Sequence, residues 1–230
     1  MTLSSIARMI DHTLLRASAT EKDIRALCEE ALRYEFAAVT VNPVWVLLCA
    51  RLLAGTAVRV NACVGFPLGA NTARTKVEEA KEAVQNGAQE IDMVINVGAL
   101  KSGYVDYVER EIAAVIKAVP KIPIKVILET GFLTDPEKLR VCAMCVKHGA
   151  AFVKTCTGFG PTGATVEDVR LLRQAVGNDL GVKAAGGIRS YRTFCEMVEA
   201  GANRVGTSAA VQIMEEARMQ SESVSLPLGQ

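Results

Sequence analysis

No block of like charge interrupts this 230-residue chain: Lys, Arg, Asp and Glu are mixed along it and sum to +1 at pH 7. That absence removes the electrostatic footprint of a nucleic-acid-binding or anionic-membrane surface, while leaving room for a small anionic substrate. Nor does any stretch approach the ~20 apolar residues a membrane-spanning helix needs, and residues 1–10 lack the apolar region of a signal peptide. A cytoplasmic protein with no nucleic-acid and no membrane partner is expected. No linker divides the chain, so a single domain is expected over residues 1–218, with residues 219–230, polar and containing Ser and Pro, as a flexible tail.

Disulfides are not indicated either. Seven cysteines (Cys28, Cys49, Cys63, Cys142, Cys145, Cys156 and Cys195) make an odd number and lie in apolar segments, which suits reduced thiols. Cys142 and Cys145 form C-x-x-C with His148 three residues on, yet the segment reads as a helix that would turn His148 some 120° away from Cys142, with no fourth ligand nearby. No metal and no cofactor are expected.

What the chain does have is alternation. Short apolar runs at Met9–His12, Ala37–Val41, Val58–Val64, Glu90–Ile95, Ile124–Glu129, Ala151–Thr155, Gly181–Ala184 and Arg204–Gly206 read as eight strands. Between them lie helical patterns such as Thr20–Tyr34, Asn71–Asn86, Val105–Val119, Pro136–His148, Val166–Ala175 and Tyr191–Ala200. Thr20, Thr134 and Thr165 read as helix N-caps, and Gly87, Gly149 and Gly201 fall where helices should end. Eight strands alternating with eight helices describe an α/β fold, a (β/α)8 TIM barrel; a doubly wound open sheet is the alternative.

In a barrel, the C-terminal strand ends share one cavity. Those ends carry Asp11 and His12, Thr40 and Asn42, Asn61 and Cys63, Asp92 and Asn96, Glu129, Lys154, Lys183, and the segment from Gly206 to Ser208. Lysine is among the residues least often buried, so Lys154 and Lys183 inside apolar runs call for a chemical reason. Imine formation supplies one. It requires a neutral amine, so a pKa about three units below the free value of ~10.4, and a second ammonium ~5 Å away contributes about 3 kcal/mol of that at an effective dielectric of ~20. Asp92, between apolar neighbours, needs a partner cation and can then relay protons; a salt bridge that merely satisfies a buried lysine is the alternative. Gly186 and Gly187 after the Lys183 strand, and Ser208 after the last strand, stand where barrels commonly hold phosphate.

These residues resemble a known family along essentially the whole chain: deoxyribose-phosphate aldolase of the shorter bacterial type. The resemblance rests on Ile-Asp-His-Thr-Leu-Leu (10–15), Val-Asn-Pro (41–43), Val-Gly-Phe-Pro-Leu-Gly (64–69), Glu-Ile-Asp-Met-Val-Ile-Asn-Val-Gly (90–98), Val-Ile-Leu-Glu-Thr (126–130), Phe-Val-Lys-Thr (152–155), Thr-Gly-Phe-Gly (157–160), Gly-Ala-Thr-Val-Glu-Asp-Val (163–169) and Gly-Gly-Ile-Arg (186–189). It implies a class I aldolase, without a metal, that reversibly cleaves 2-deoxy-D-ribose 5-phosphate to D-glyceraldehyde 3-phosphate and acetaldehyde in deoxynucleoside catabolism. By motif position, Lys154 would form the Schiff base, Lys183 would depress its pKa and shuttle protons, Asp92 would donate and accept protons, and Asp11 would belong to the relay. Gly158, Gly186, Gly187 and Ser208 would hold the substrate phosphate. A homodimer or homotetramer is implied.

The chain departs from the family at Cys156, where serine is expected, at Thr40, where cysteine is common, and at Thr162, where glycine or a charged residue is usual. Its last residues contain no tyrosine. If the strand continues past Lys154, Cys156 faces the same cavity as an oxidisable thiol; a simple small replacement is the other reading. Two competing functions share the imine lysine or the phosphate loops: another imine-forming barrel such as a transaldolase-like enzyme, and a catalytically idle barrel that binds a phosphorylated ligand.

Overall fold

The computed structural model describes the backbone of residues 1–225 and the side chains of residues 1–222. Eight parallel strands, β1 (Ile10–Leu14), β2 (Ala38–Val41), β3 (Arg59–Val64), β4 (Glu90–Val94), β5 (Ile124–Ile127), β6 (Phe152–Lys154), β7 (Gly181–Ala185) and β8 (Arg204–Thr207), pair in chain order. β1 pairs with both β2 and β8, which closes the barrel and excludes the open sheet. Around it lie α1 (Leu3–Ala7), α2 (Glu21–Tyr34), α3 (Val46–Leu52), α4 (Ala73–Gln85), α5 (Val97–Lys101), α6 (Val105–Ala118), α7 (Asp135–His148), α8 (Val166–Val176), α9 (Tyr191–Glu199) and α10 (Ala210–Ser225).

Local chemistry sets the helix ends. The Asp23 N–H donates to the Thr20 hydroxyl at 3.3 Å while the Thr20 N–H donates to the Asp23 carboxylate at 2.8 Å, a reciprocal cap on α2. Thr134 donates its N–H and its hydroxyl to Glu137 at 2.7 and 3.0 Å, and Thr165 accepts from the Asp168 N–H at 3.1 Å. Each such cap contributes about 1 kcal/mol. Gly87, Gly149 and Gly201 close their helices with φ of 103°, 74° and 113°, a region residues with a Cβ avoid.

The expected strand and helix boundaries hold to within two residues, and the departures have physical causes. The helices α1, α3 and α5, of five to seven residues, are too short to show a period. β5 stops at Ile127 rather than Glu129 because Glu129 turns into left-handed backbone, φ 57° and ψ 64°. The polar stretch from Met219 to Ser225, expected as tail, continues α10, whose first turns are anchored by Ile213, Met214 and Ala217. Residues 226–230 lie outside the described residues.

Two interiors result. Outside the sheet, strand residues such as Ile91, Met93, Val126, Val153, Val182 and Val205 belong to one apolar cluster with Ile112, Val115, Val141, Leu172 and Phe194 of the helices. Inside the sheet the contents are ionic. Lys125 on β5 reaches Asn61 on β3, and Arg204 on β8 reaches Glu90 on β4, contacts between non-adjacent strands that only the barrel interior permits. Barrels usually fill this space with branched aliphatics. Here a network of ions does it.

Candidate active site

The register places the two sequence-predicted lysines opposite each other, Lys154 on β6 against Lys183 on β7. Both ammonium groups donate to the same oxygen, Asp92 Oδ2, at 2.6 Å from Lys154 and 2.8 Å from Lys183. Lys183 also donates to Asp11 Oδ2 at 2.5 Å. Room for the Lys183 stem comes from Gly206 across the β7–β8 pair, where a Cβ would lie 3.0 Å from Lys183 Cε.

A third lysine completes the cluster and was not singled out from the sequence. Lys125 donates to Glu90 Oε2 at 2.5 Å and to Asn61 Oδ1 at 3.0 Å, and lies 3.2 Å from Asp92 Oδ1. Asn61 in turn donates to the Thr40 hydroxyl at 3.0 Å, so the departure at Thr40 sits beneath the site as a buried acceptor. Arg204 closes the lower end, on Asp11 Oδ1 at 2.7 Å and Glu90 at 2.9 Å. The signal for Lys125 was present: it is a lysine inside the apolar run Ile-Pro-Ile-Lys-Val-Ile-Leu. It stands mid-strand, however, away from the ends where a barrel's chemistry is sought.

Electrostatics follows from these distances. Burial by itself raises the Asp92 carboxyl, but Lys154, Lys183 and Lys125 outweigh it and hold the group well below the usual carboxylate range. Asp11 behaves alike: burial raises it, and Lys183, Lys125 and Arg204 bring it down further than burial lifts it. For Lys183 the balance runs the other way. Burial disfavours its charge, yet Asp11 and Asp92 raise it above its ordinary value, so Lys183 stays an ammonium. The nearby Cys63 thiol is pushed up to about 12 by burial and is inert as a nucleophile.

Three carboxylates, Asp11, Glu90 and Asp92, thus face four buried cations, Lys125, Lys154, Lys183 and Arg204. Arg59 also touches Glu90, at 3.0 Å, but from the solvent side with half its side chain exposed. One buried cation is surplus. Lys125 and Lys183 each contact two or more carboxylates and are fully buried, whereas Lys154 contacts Asp92 alone. Of the three lysines, Lys154 is the one that lines the cavity at the C-terminal ends of the strands.

That cavity, about 330 Å³, is bounded by all four residues expected to hold phosphate, Gly158, Gly186, Gly187 and Ser208. The three glycines have φ of 86°, 98° and 77°, and none of the four backbone N–H groups has a hydrogen-bond partner among the described residues. Free N–H groups on successive left-handed turns form a concave anion cradle, and Ser208 precedes α10 by two residues, adding that helix's positive end. Arg16 and Arg189 also line the cavity and bring two guanidiniums that the sequence reading did not select.

Cys156 does not face the cavity: β6 ends at Lys154, and the Cys156 sulfur turns to the Thr130 hydroxyl at 3.3 Å, fully buried, with burial pushing its pKa up. Lys183, for which the resemblance implies pKa depression and proton transfer, donates to both Asp11 and Asp92, and the two carboxylates raise its pKa above the ordinary value. Among the described residues no cluster of three His, Cys, Asp or Glu side chains offers a metal site, and His148 engages Glu109 at 2.9 Å. No helix is long and apolar enough to cross a membrane.

Comparison with known proteins places this site in context. Residues 5–212 match the family model described as DeoC/LacD family aldolase. The chain is 57% identical over 221 residues to the deoxyribose-phosphate aldolase of Caldanaerobacter subterraneus subsp. tengcongensis, covering 95% of this chain and 96% of that protein. It is 56% identical over 213 residues to the deoxyribose-phosphate aldolase of Geobacillus sp., covering 92% and 96%. Among solved structures it superposes on the tetrameric deoxyribose phosphate aldolase of Aeropyrum pernix with a TM-score of 0.89 at 33% identity, over 95% of this chain and 93% of that one. It also superposes on the aldolase QR15 with a TM-score of 0.91 at 39% identity, over 96% and 99%.

Proposed function

The chain belongs to the DeoC/LacD aldolase family, and on that premise we propose that it is a class I deoxyribose-phosphate aldolase with Lys154 as its Schiff-base residue. It is a lyase of carbon–carbon bonds, cleaving 2-deoxy-D-ribose 5-phosphate reversibly to D-glyceraldehyde 3-phosphate and acetaldehyde. The observation that carries the assignment of roles is the surplus cation. Lys154 alone of the buried lysines opens on the cavity and has a single carboxylate partner, so it can release a proton and leave three carboxylates balanced against three cations.

The neutral Lys154 amine attacks the C1 aldehyde of the open-chain sugar, and loss of water gives a protonated imine beside Asp92. The C3 hydroxyl proton passes to Asp92 through water, the C2–C3 bond breaks, and its electron pair flows into the imine as an enamine. Because the products are a two-carbon aldehyde and a three-carbon phosphate, C2–C3 is the bond that must break. Protonation of the enamine carbon and hydrolysis release acetaldehyde. Lys154 is the leading cation that depresses Asp92, so Asp92 is more basic while the amine is neutral, during the attack on the aldehyde and the proton transfers of the carbinolamine. Lys183 supplies the fixed positive charge that favours the neutral amine, and Asp11 holds Lys183 in place. The phosphate sits on Gly158, Gly186, Gly187 and Ser208, which sets C1 against Lys154. The protein acts in the cytoplasm as a homodimer or homotetramer.

The test is borohydride reduction in the presence of acetaldehyde, followed by peptide mapping. An adduct on Lys154 supports the assignment; folded protein without any adduct overturns it. A transaldolase-like alternative would trap on the same lysine but would not release acetaldehyde from the phosphorylated deoxy sugar.

A further inference from the structure

Glu129 is a buried carboxylate that the mechanism does not use. It lies just past the end of β5, 3% exposed, and among the described residues it forms no ion pair. Burying a carboxylate without a cation is costly unless hydrogen bonds replace its water. Its partners all come from one residue: the Thr157 N–H reaches both carboxylate oxygens at 3.2 Å, and the Thr157 hydroxyl donates to Oε2. The backbone of Glu129 is left-handed, at φ 57° and ψ 64°, a conformation that costs a residue with a Cβ of order 1 kcal/mol or more and persists where the surroundings demand it. Gly160 is packed so closely on the side chain that a Cβ there would lie 2.7 Å from Glu129 Cδ.

The consequence is a clamp on the loop that follows β6. With the Thr157 N–H turned to Glu129, and the Phe159 N–H donating to the Thr157 hydroxyl oxygen at 3.0 Å, the N–H between them, that of Gly158, is left without a partner at the cavity wall. We propose that Glu129 is a positioning residue for phosphate recognition: by binding Thr157 it presents the Gly158 N–H to the substrate phosphate, so it governs the preference for a phosphorylated sugar without touching the substrate. This rests on the aldolase reading of the same site.

The experiment compares Glu129→Gln and Thr157→Val with the parent protein on 2-deoxyribose 5-phosphate and on unphosphorylated 2-deoxyribose, and measures binding of inorganic phosphate by calorimetry. Glu129→Gln is expected to raise KM for the phosphorylated sugar and to weaken phosphate binding, each about tenfold, as befits loss of a charge-assisted hydrogen bond, with kcat within about threefold. The ratio of kcat/KM between the phosphorylated and unphosphorylated substrates should fall about tenfold. Thr157→Val, which removes the hydroxyl end of the same clamp, should move the ratio the same way and carries the test if Glu129→Gln does not fold. Equal losses on both substrates, or unchanged phosphate binding, overturn the proposal. If the parent fails to cleave the phosphorylated sugar, the aldolase reading fails, and the calorimetric comparison still decides whether Glu129 orders an anion site.

Discussion

Lys154 and Lys183 stand opposite one another in the β6–β7 register, and their ammonium groups share one oxygen of Asp92. The shared oxygen makes the two lysines unequal, because only Lys183 has a second carboxylate, Asp11, behind it. One is anchored as a charge. The other has Asp92 as its single carboxylate partner.

Removing the surplus cation should cost activity without stability. Lys154→Met is expected to abolish borohydride trapping and aldol cleavage, while leaving the free energy of unfolding within about 1 kcal/mol of the parent, since the remaining ions balance. Denaturant titration alongside a cleavage assay checks both halves.

Lys183→Leu should do the opposite to stability. From the sequence alone this substitution is expected to leave the fold intact and to impair the nucleophile; the structure shows that it takes from Asp11 its shortest ionic contact and from Asp92 one of its three cations, both carboxylates being fully buried. Breaking a buried pair in this way costs about 3–5 kcal/mol. A thermal midpoint unchanged from the parent would contradict the network described here.

Lys125→Met should likewise destabilise by about 3–5 kcal/mol, because Glu90 loses its shortest contact and Asp92 its third cation. With one cation fewer, Asp92 becomes easier to protonate. The acid limb of the cleavage pH profile should therefore move to higher pH than in the parent, which steady-state rates between pH 4 and 8 would reveal.

Acid should unfold the protein through these same carboxyls. Asp11 and Asp92 are depressed below their ordinary value of 3.8 in the folded state, so their stabilisation is fully present above that pH and is lost as pH falls towards the folded values. Lys183 is raised above 10.5, so its contribution is complete below that pH and disappears only as pH rises past it. Urea midpoints should be flat from about pH 5 to 9 and drop steeply below about pH 4.

Cys156→Ser should change kcat/KM by less than about threefold, since the sulfur lies behind the cavity wall on Thr130, where a hydroxyl keeps the same partner. A large loss of activity would mean that the thiol reaches the substrate after all.

The sequence by itself determined the order of elements, because period, caps and glycine stops are local: Thr20, Thr134 and Thr165 start helices and Gly87, Gly149 and Gly201 end them through contacts within a few residues. It also exposed Lys154, Lys183 and Asp92, since ions inside apolar runs are visible without a structure. Tertiary structure decided what each ion does. Which lysine is surplus depends on counting carboxylates contributed by β1 and β4, residues 62 to 172 positions away along the chain. Lys125 and Glu129 acquire meaning only once the barrel closes, because a mid-strand lysine and a polar strand end look alike in sequence whether they face the interior, a loop or solvent. Cys156 illustrates the converse: alternation predicts its direction only while the strand lasts, and β6 ends two residues before it.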